Sequence, residues 1–235
     1  MDLYDYIWKR KSTRKYDITP LDSVQLDQIT QFADNLKPLY PNIKIEYEIT
    51  SGIKSILPMN PIKAPHYFVI SSEKTNGYLE NVGFMFQQMD LFLSSIELGS
   101  CWFGLGKPAE KLKTKLSYVS TLAFGKAAGT PYRDHTKFKR KALSDISIGT
   151  DDRLEAVRLA PSAINNQNWF FEAANGKINV FHKKAMIGVI NNLNKIDIGI
   201  ALCHLFVATK HFGKDFSFSK EAEKKRKGYT YTGTI

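Results

Sequence analysis

Cysteine is scarce in this chain of 235 residues, which has two, Cys101 and Cys203. Both lie inside apolar stretches, and they form no Cys-x-x-Cys pair. This pattern excludes a disulfide framework and a cysteine-based zinc site. We therefore expect two buried free thiols in a reducing compartment.

Long hydrophobic runs are also missing. No uninterrupted apolar run approaches the ~18–20 residues that a membrane helix needs. The longest apolar segment, Ile196 to Phe212, is interrupted by Asp197, His204 and Lys210. The first ten residues lack the apolar core of a signal peptide. These absences predict a cytoplasmic protein that has no membrane partner.

Several catalytic motifs are absent as well. The chain has no His-Glu-x-x-His and no Gly-x-Ser-x-Gly, which argues against a zinc protease and a serine hydrolase. Residues 125–130 lack the residue order of a phosphate-binding loop, and Gly104-x-Gly106 lacks the third glycine of a dinucleotide fingerprint. The five histidines have no spacing that suits a metal, so no metal site is predicted.

Positive charge is present in excess. Lysine and arginine total 33 against 23 aspartates and glutamates, which gives a net charge of +10. Such a balance favours an anionic partner, but it does not choose among a phosphate, a nucleotide and a nucleic acid. Apolar residues at 43% and charged residues at 24% are typical of a globular protein, and the length allows one large domain or two small units.

Hydrophobic periodicity predicts the main elements. Residues 78–98 form a helix with apolar side chains on more than one face, which indicates burial, and Gly99 is a plausible stop. Residues 66–71 and 118–125 have the composition of strands. Residues 52–65 are predicted as loop, and residues 220–235 as a solvated terminal helix with a frayed end.

One polar stretch stands out in the second half, and we call residues 161–168 the amide loop. Pro161 ends a short helical pattern, because its ring removes a donor and pushes the preceding residue out of the α region. Ser162, Asn165 and Gln167 then supply groups that donate and accept, which suit the edge of a flat heterocycle. A plain polar turn between a helix and a strand is the alternative. The aromatic residues Trp169 to Phe171 should anchor the loop in a core.

A basic segment lies near the N-terminus, from Lys9 to Lys15, with Ser12 and Thr13 among five cations. Arginine forks bind phosphate bidentately, and a serine hydroxyl can donate to a remaining oxygen. A solvated basic turn is the alternative reading of this segment.

Together these two segments resemble the FMN-dependent nitroreductase family. The residues Pro-Ser-Ala-x-Asn-x-Gln-x-Trp at 161–169 are similar to its flavin loop, although Asn168 replaces a usual proline and Ile164 a common glycine. Arg-Lys-Ser-Thr-Arg at 10–14 resembles its Arg-Arg-Ser-x-Arg motif, with Lys11 where arginine or histidine is common. Arg140-Lys-Ala-Leu resembles a further phosphate-binding segment.

The resemblance implies an α+β fold, with mixed or antiparallel sheets flanked by helices. It also implies a non-covalent FMN with NAD(P)H as the electron donor. Because the flavin carries out the chemistry, no catalytic side chain is named. The implied cofactor-binding residues are Arg10, Lys11, Ser12, Arg14, Gly104, Leu105, Arg140, Pro161, Ser162, Ala163, Asn165 and Gln167.

The second half of the chain repeats the first in outline. Asp197-Ile-Gly opens a buried helix ending near Gly213, much as Asn81-Val-Gly opens the helix that ends near Gly99. The resemblance then implies the family branch in which two nitroreductase-like units are fused into a pseudo-dimer, here residues 1–146 and 147–235. The first unit has the basic motif and the second has the loop, so one flavin site per chain is expected, in a monomer or a weak homodimer.

The expected function is therefore reduction of a small-molecule acceptor, such as a nitroaromatic or a quinone, by hydride transfer from NAD(P)H through FMN. The alternative is a protein that is not an enzyme: a basic module that binds a nucleotide or a nucleic acid without turnover. The expected oxidoreductase, in contrast, has no nucleic-acid partner. A related flavoenzyme that carries out dehalogenation or flavin breakdown is a third possibility.

Overall fold

The computed structural model describes residues 1–55, 62–104, 106–220 and 222–235. Within them the helices are α1 (Tyr4–Ile7), α2 (Ser23–Ala33), α3 (Tyr78–Ser95), α4 (Leu143–Ile146), α5 (Leu154–Arg158) and α6 (Gly188–His211). The strands are β1 (Ile45–Thr50), β2 (Ile53–Ser55), β3 (His66–Ser72), β4 (Gly99–Trp102), β5 (Gly106–Pro108), β6 (Ser117–Gly125), β7 (Ser147–Ile148), β8 (Trp169–Ala174), β9 (Lys177–Lys183) and β10 (Tyr229–Thr234).

The first half of the chain forms an antiparallel sheet with the strand order β1-β3-β6-β4. Every residue of β3 is buried, which agrees with its mostly apolar or small side chains. The predicted strands at 66–71 and 118–125 are thus confirmed. The loop predicted over 52–65 is wrong at β2, which pairs with β5, and its residues 56–61 lie outside the described part.

The second half forms another sheet with the order β10-β9-β8-β7, in which β7 runs parallel to β8. The last strand corrects the prediction of a frayed terminal helix. Tyr231 of β10 is 3% exposed, and its ring centre lies 5.6 Å from that of Phe181 on β9. Pairing satisfies the backbone of β9 and covers Phe181, so the tail becomes a strand despite its preceding run of lysines.

Helices α3 and α6 cross at the centre of the molecule. A Cβ added to Gly83 would lie 2.1 Å from the carbonyl oxygen of Ile196, and one added to Gly199 would lie 2.0 Å from that of Glu80. The contact is reciprocal, because each glycine meets the residue three positions before the other glycine. Only glycine permits backbones this close.

Two helix ends differ from the predictions. Helix α6 starts at Gly188, nine residues before the predicted start at Asp197. Helix α3 stops at Ser95, and the chain turns through Glu97, whose φ is +61°. Gly99 instead begins β4, where a Cβ would lie 2.6 Å from the hydroxyl of Thr13. Because Gly99 has no side chain, the N-terminal segment around Thr13 can pack against β4.

Candidate functional site

The basic segment runs along strand β4. The backbone N–H of Thr13 donates to the carbonyl of Ser100 at 2.9 Å, and Ser12 forms a parallel bridge with the same residue. Arg10 forms an antiparallel bridge with Tyr132. These backbone contacts fix the side chains of residues 10–14 beside the first sheet.

Arg10 is held by a buried ion pair. Its Nε lies 2.7 Å from Oδ2 of Asp90, and the two side chains are 2% and 0% exposed. The same carboxylate accepts hydrogen bonds from Ser100 Oγ at 2.6 Å and from Gln87 Nε2 at 2.8 Å. Nη2 of Arg10 donates to Ser12 Oγ at 3.2 Å. Asp90 therefore offsets the charge of Arg10 and fixes its direction.

The amide loop is shaped by its own side chains. Gln167 is 3% exposed; its backbone N–H donates to Ser162 Oγ, its Nε2 donates to the carbonyl of Asn165, and its Oε1 accepts from the N–H of Lys141. Ile164, Asn165 and Gln167 all have positive φ, from +45° to +60°. These bonds hold a backbone that residues other than glycine adopt at a cost.

Arg140 ties the amide loop to the chain segment that precedes helix α4. Its Nη1 donates to Oδ1 of Asn165 at 2.6 Å, and its Nη2 donates to the carbonyl of Leu159 at 3.2 Å. The amide of Asn165 donates in turn to the carbonyl of Lys139 at 2.8 Å. The Nε of Arg140 is buried and has no hydrogen-bond partner among the described residues.

These segments enclose two adjoining cavities. The larger, which we call the basic cavity, has a volume of about 570 Å³ and is lined by Arg10, Ser12, Arg14, Arg133, Lys137, Lys139, Arg140, Pro161, Ser162, Ile164 and Asn165. The smaller, the inner cavity, has a volume of about 120 Å³ and is lined by Ser12, Arg14, Cys101, Trp102, Gly104, Ser120, Pro161, Ser162, Ala163, Ile164, Leu193, Ile196, Asp197 and Ile200. The residues that line both cavities lie where the two cavities meet.

The electrostatics of the basic cavity favour an anion. Burial lowers the pKa of Arg140 to about 10, with further lowering by Arg10, Arg133 and Arg158. Burial and the nearby Arg10 and Arg14 also lower the pKa of Arg133. Like charges that disfavour one another's ionised state are stabilised by a bound anion between them.

The inner cavity has a carboxyl group in its wall. Asp197 lies on α6, is 4% exposed, and accepts the backbone N–H of Ala163 at 3.0 Å. Burial raises the pKa of Asp197 to about 7, although the hydrogen bond from Ala163 opposes the shift. Leu193 and Ile200 of the same helix supply apolar wall, so one helix provides both the apolar surface and the anchor of the loop.

Most of the predicted site residues thus meet at one place. Lys11 and Gln167 do not line either cavity, and Leu105 lies outside the described residues. The sequence patterns assigned no binding role to Arg133, Lys137 or Asp197. For Arg133 and Lys137 the available signal was the run of cations between residues 131 and 141.

The fold and the two cavities define the class of the protein: an α+β chain with a cationic site between the basic segment and the amide loop. The chain belongs to the family described as "Putative TM nitroreductase", whose model matches residues 2–209. No curated protein sequence matches the chain.

Among solved structures of other proteins, one with a TM-score above 0.5 supports the fold. A "putative nitroreductase" of Thermotoga maritima superposes with a TM-score of 0.68 at 21% identity, over 100% of this chain and 92% of that chain. An FMN-dependent nitroreductase of Clostridium difficile R20291 is more distant, with a TM-score of 0.47 at 17% identity over 57% of this chain and 93% of that chain. The predicted α+β nitroreductase-like fold is confirmed.

No helix in the described ranges combines the length and the apolar character needed to cross a membrane.

Proposed function

We propose that the chain is a flavin-dependent oxidoreductase that binds one FMN without a covalent link in the two joined cavities. One observation carries the proposal: the Arg-x-Ser-x-Arg segment and the amide loop are far apart in sequence, yet Arg14 and Ser162 line both cavities. In this proposal the basic cavity takes the phosphate, and the inner cavity takes one face of the ring.

The residues present fit a flavin phosphate. Arg14 and Arg140 have no ion-pair partner in the described part of the chain, and their two charges match the roughly −1.5 to −2 of a phosphate monoester. Ser12 supplies a hydroxyl, and the partnerless Nε of Arg140 is a spare donor. Arg10 and Ser12 thus complete a donor set of the kind that phosphate requires.

FMN, when bound, supplies hydride chemistry between NAD(P)H and a nitroaromatic, a quinone or a similar acceptor. The chain's own residues bind and orient. Asp197 fixes the amide loop through Ala163, and Asp90 fixes Arg10. Leu193, Ile196 and Ile200 exclude water from the inner cavity, which strengthens the polar contacts inside it. No side chain is assigned as acid or base.

We further propose that the chain is a fused pseudo-dimer of residues 1–146 and 147–235, with one site. The reciprocal contacts of Gly83 and Gly199 support this arrangement. A second correspondence supports it as well. Asn81 accepts the N–H groups of Leu39 and Tyr40, and Asp197 accepts the N–H of Ala163. Each of these two side chains stands two residues before the glycine of its helix. A ratio of one FMN per chain in a monomer, from absorbance and light scattering, is the expected result.

The proposal is tested by an absorbance spectrum of the purified chain and by titration with FMN. Arg14→Glu should abolish FMN retention, because it reverses a charge in the phosphate site. Lys15→Glu is the matched control: it makes the same charge change at an exposed neighbour that lines neither cavity, and it should bind FMN as the wild type does.

The competing assignment predicts different results. A colourless chain that refuses added FMN, and binds oligonucleotides with a steep dependence on salt, would support a nucleic-acid-binding module instead. If Arg14→Glu and Lys15→Glu lower FMN affinity equally, the assignment of Arg14 to the phosphate is wrong.

A further inference from the structure

We propose that Arg133, Lys137 and Lys139 form a second phosphate site, which recognises the 2′-phosphate of NADPH and selects that donor over NADH. The inference rests on the proposed flavin function and deepens it by naming the substrate. The three residues lie in the wall of the basic cavity, beside the residues assigned to the flavin phosphate.

The first argument is the charge left over in the basic cavity. Its lining includes six cationic side chains, and Asp90 offsets one of them, Arg10. Arg14 and Arg140 match the roughly −1.5 to −2 of one phosphate monoester. Three positive charges then remain along the wall of the same cavity. Within the described ranges, Arg133, Lys137 and Lys139 have no carboxylate at ion-pair distance.

The second argument is that Arg133, the first of these cations, is held in position by structure. The backbone N–H of Arg133 donates to the carbonyl of Lys9 at 2.6 Å, which joins this segment to the basic segment. The guanidinium carbons of Arg133 and Arg140 lie 5.3 and 5.5 Å from the centre of the Phe138 ring. Phe138 is 9% exposed and anchors the segment, so the two guanidinium groups converge on one ring and are not dispersed in solvent.

The third argument identifies the ligand. NADPH differs from NADH by one phosphate monoester, which adds roughly −1.5 to −2 charges. NADPH, with its additional phosphate, therefore matches the three remaining positive charges of the basic cavity better than NADH does. The basic and inner cavities share Ser12, Arg14 and Ser162, so the proposed second phosphate site adjoins the proposed flavin site.

The test uses fragments that require no bound flavin. Calorimetry on the full chain compares 2′,5′-ADP with 5′-AMP, which lacks the 2′-phosphate, and then NADP⁺ with NAD⁺. We expect the wild type to bind the 2′-phosphorylated member of each pair about tenfold more tightly, a difference of about 1.4 kcal/mol. Arg133→Gln/Lys137→Gln should reduce this preference to less than about threefold, because the charge that binds the extra phosphate is gone.

The matched control is Lys111→Gln/Lys115→Gln, which removes two charges at exposed positions outside both cavities and should keep the tenfold preference. Equal affinity of the wild type for both members of each pair would overturn the proposal. An equal loss in the control and in the cavity variant would also overturn it, because the effect would then be net charge alone.

The flavin proposal and the donor proposal fail in different ways. A chain that prefers 2′,5′-ADP but never retains FMN keeps the second phosphate site and loses the oxidoreductase function. A yellow chain without the preference does the reverse. As a second readout, anaerobic rapid mixing should show faster flavin reduction by NADPH than by NADH in the wild type, and nearly equal rates in Arg133→Gln/Lys137→Gln.

Discussion

Helix α6 holds the amide loop at two points: Asp197 accepts the backbone N–H of Ala163, and Asn194 accepts a hydrogen bond from the side chain of Asn168. Asp197 makes its contact while it is 4% exposed. A neutral amide in the comparable place on α3, Asn81, performs the same task for the loop after α2. Both side chains accept backbone N–H groups of a loop, but of the two only Asp197 can also bind and release a proton.

Asp197→Asn should flatten the pH dependence of stability. Burial raises the pKa of Asp197 from 3.8 to about 7, so between these values the folded chain keeps a proton that the unfolded chain releases. The free energy of unfolding of the wild type therefore falls as pH rises from about 4 to about 7, and then levels off. At pH 8 the variant should be more stable by about 2 kcal/mol, because the buried charge is absent.

Urea unfolding at pH 5 and pH 8 measures this effect, and the difference between the two proteins isolates Asp197 from other titrating groups. At pH 5 the two proteins should agree within about 1 kcal/mol. Parallel pH profiles would contradict the assigned proton.

Ile164 is the most strained residue of the amide loop, with a φ of +45° and a side chain that is 90% exposed. A β-branched residue is disfavoured in this conformation. Ile164→Gly should raise the free energy of unfolding by about 1 kcal/mol, because the relieved strain exceeds the entropy cost of glycine. Asn166→Gly, at a residue of the same loop with a φ of −71°, is the control and should lower it by about 0.5–1 kcal/mol. Equal effects of the two glycines in thermal unfolding would rule out the strain.

At the scale of elements, the crossing of α3 and α6 connects the two sheets to the site. Helix α3 supplies Asp90 and Gln87, and Gln87 Oε1 accepts the indole N–H of Trp102, which lines the inner cavity. Helix α6 supplies Asp197 and Leu193. The distance between the two helices therefore determines how the basic segment meets the amide loop.

Gly199→Ala should destabilise the protein by about 3 kcal/mol, because its Cβ would lie 2.0 Å from the backbone carbonyl of Glu80 and the helices must move apart. The control is Gly188→Ala at the start of the same helix. A Cβ there meets nothing within 4 Å, so this change should be neutral or stabilising by up to about 1 kcal/mol. Chemical unfolding compares them, and a Gly199→Ala variant as stable as Gly188→Ala would contradict the close crossing.

At the scale of the whole molecule, the C-terminal strand completes the second sheet and supports the site indirectly. The amide loop leads into β8, and the backbone carbonyl of Asn168 accepts the N–H of Lys183 at the end of β9. Strand β10 covers the other side of β9, where Phe181 is fully buried.

Removal of residues 229–235 should lower the melting temperature by about 10 °C or more, because it exposes Phe181 and unpairs β9. FMN binding should weaken with it, since the sheet that carries the amide loop loosens. Lys225→Gln/Lys227→Gln changes two exposed charges in the same tail and should melt like the wild type. If the truncated chain also melts like the wild type in circular dichroism, the tail is not part of the sheet.

Much of the fold was predictable from local patterns. The continuous apolar run of β3 and the stripes of α3 depend on burial, which periodicity reports. The tail was misjudged because four cations at 224–227 dominate its composition, while the partner that makes Tyr231 a buried residue lies 50 positions earlier in Phe181. Gly99 was misjudged for the same reason: the neighbour that requires a glycine is Thr13, which is distant in sequence.

The sequence by itself determined the family-like motifs, the α+β pattern and the excess of positive charge, because these depend on residue type and spacing within a segment. Only the tertiary structure decided that Arg10 is offset by Asp90, that Gln167 turns into its own loop, and that Arg133 joins the basic cavity. Those outcomes depend on which distant groups share a low-dielectric space, and spacing along the chain does not specify that.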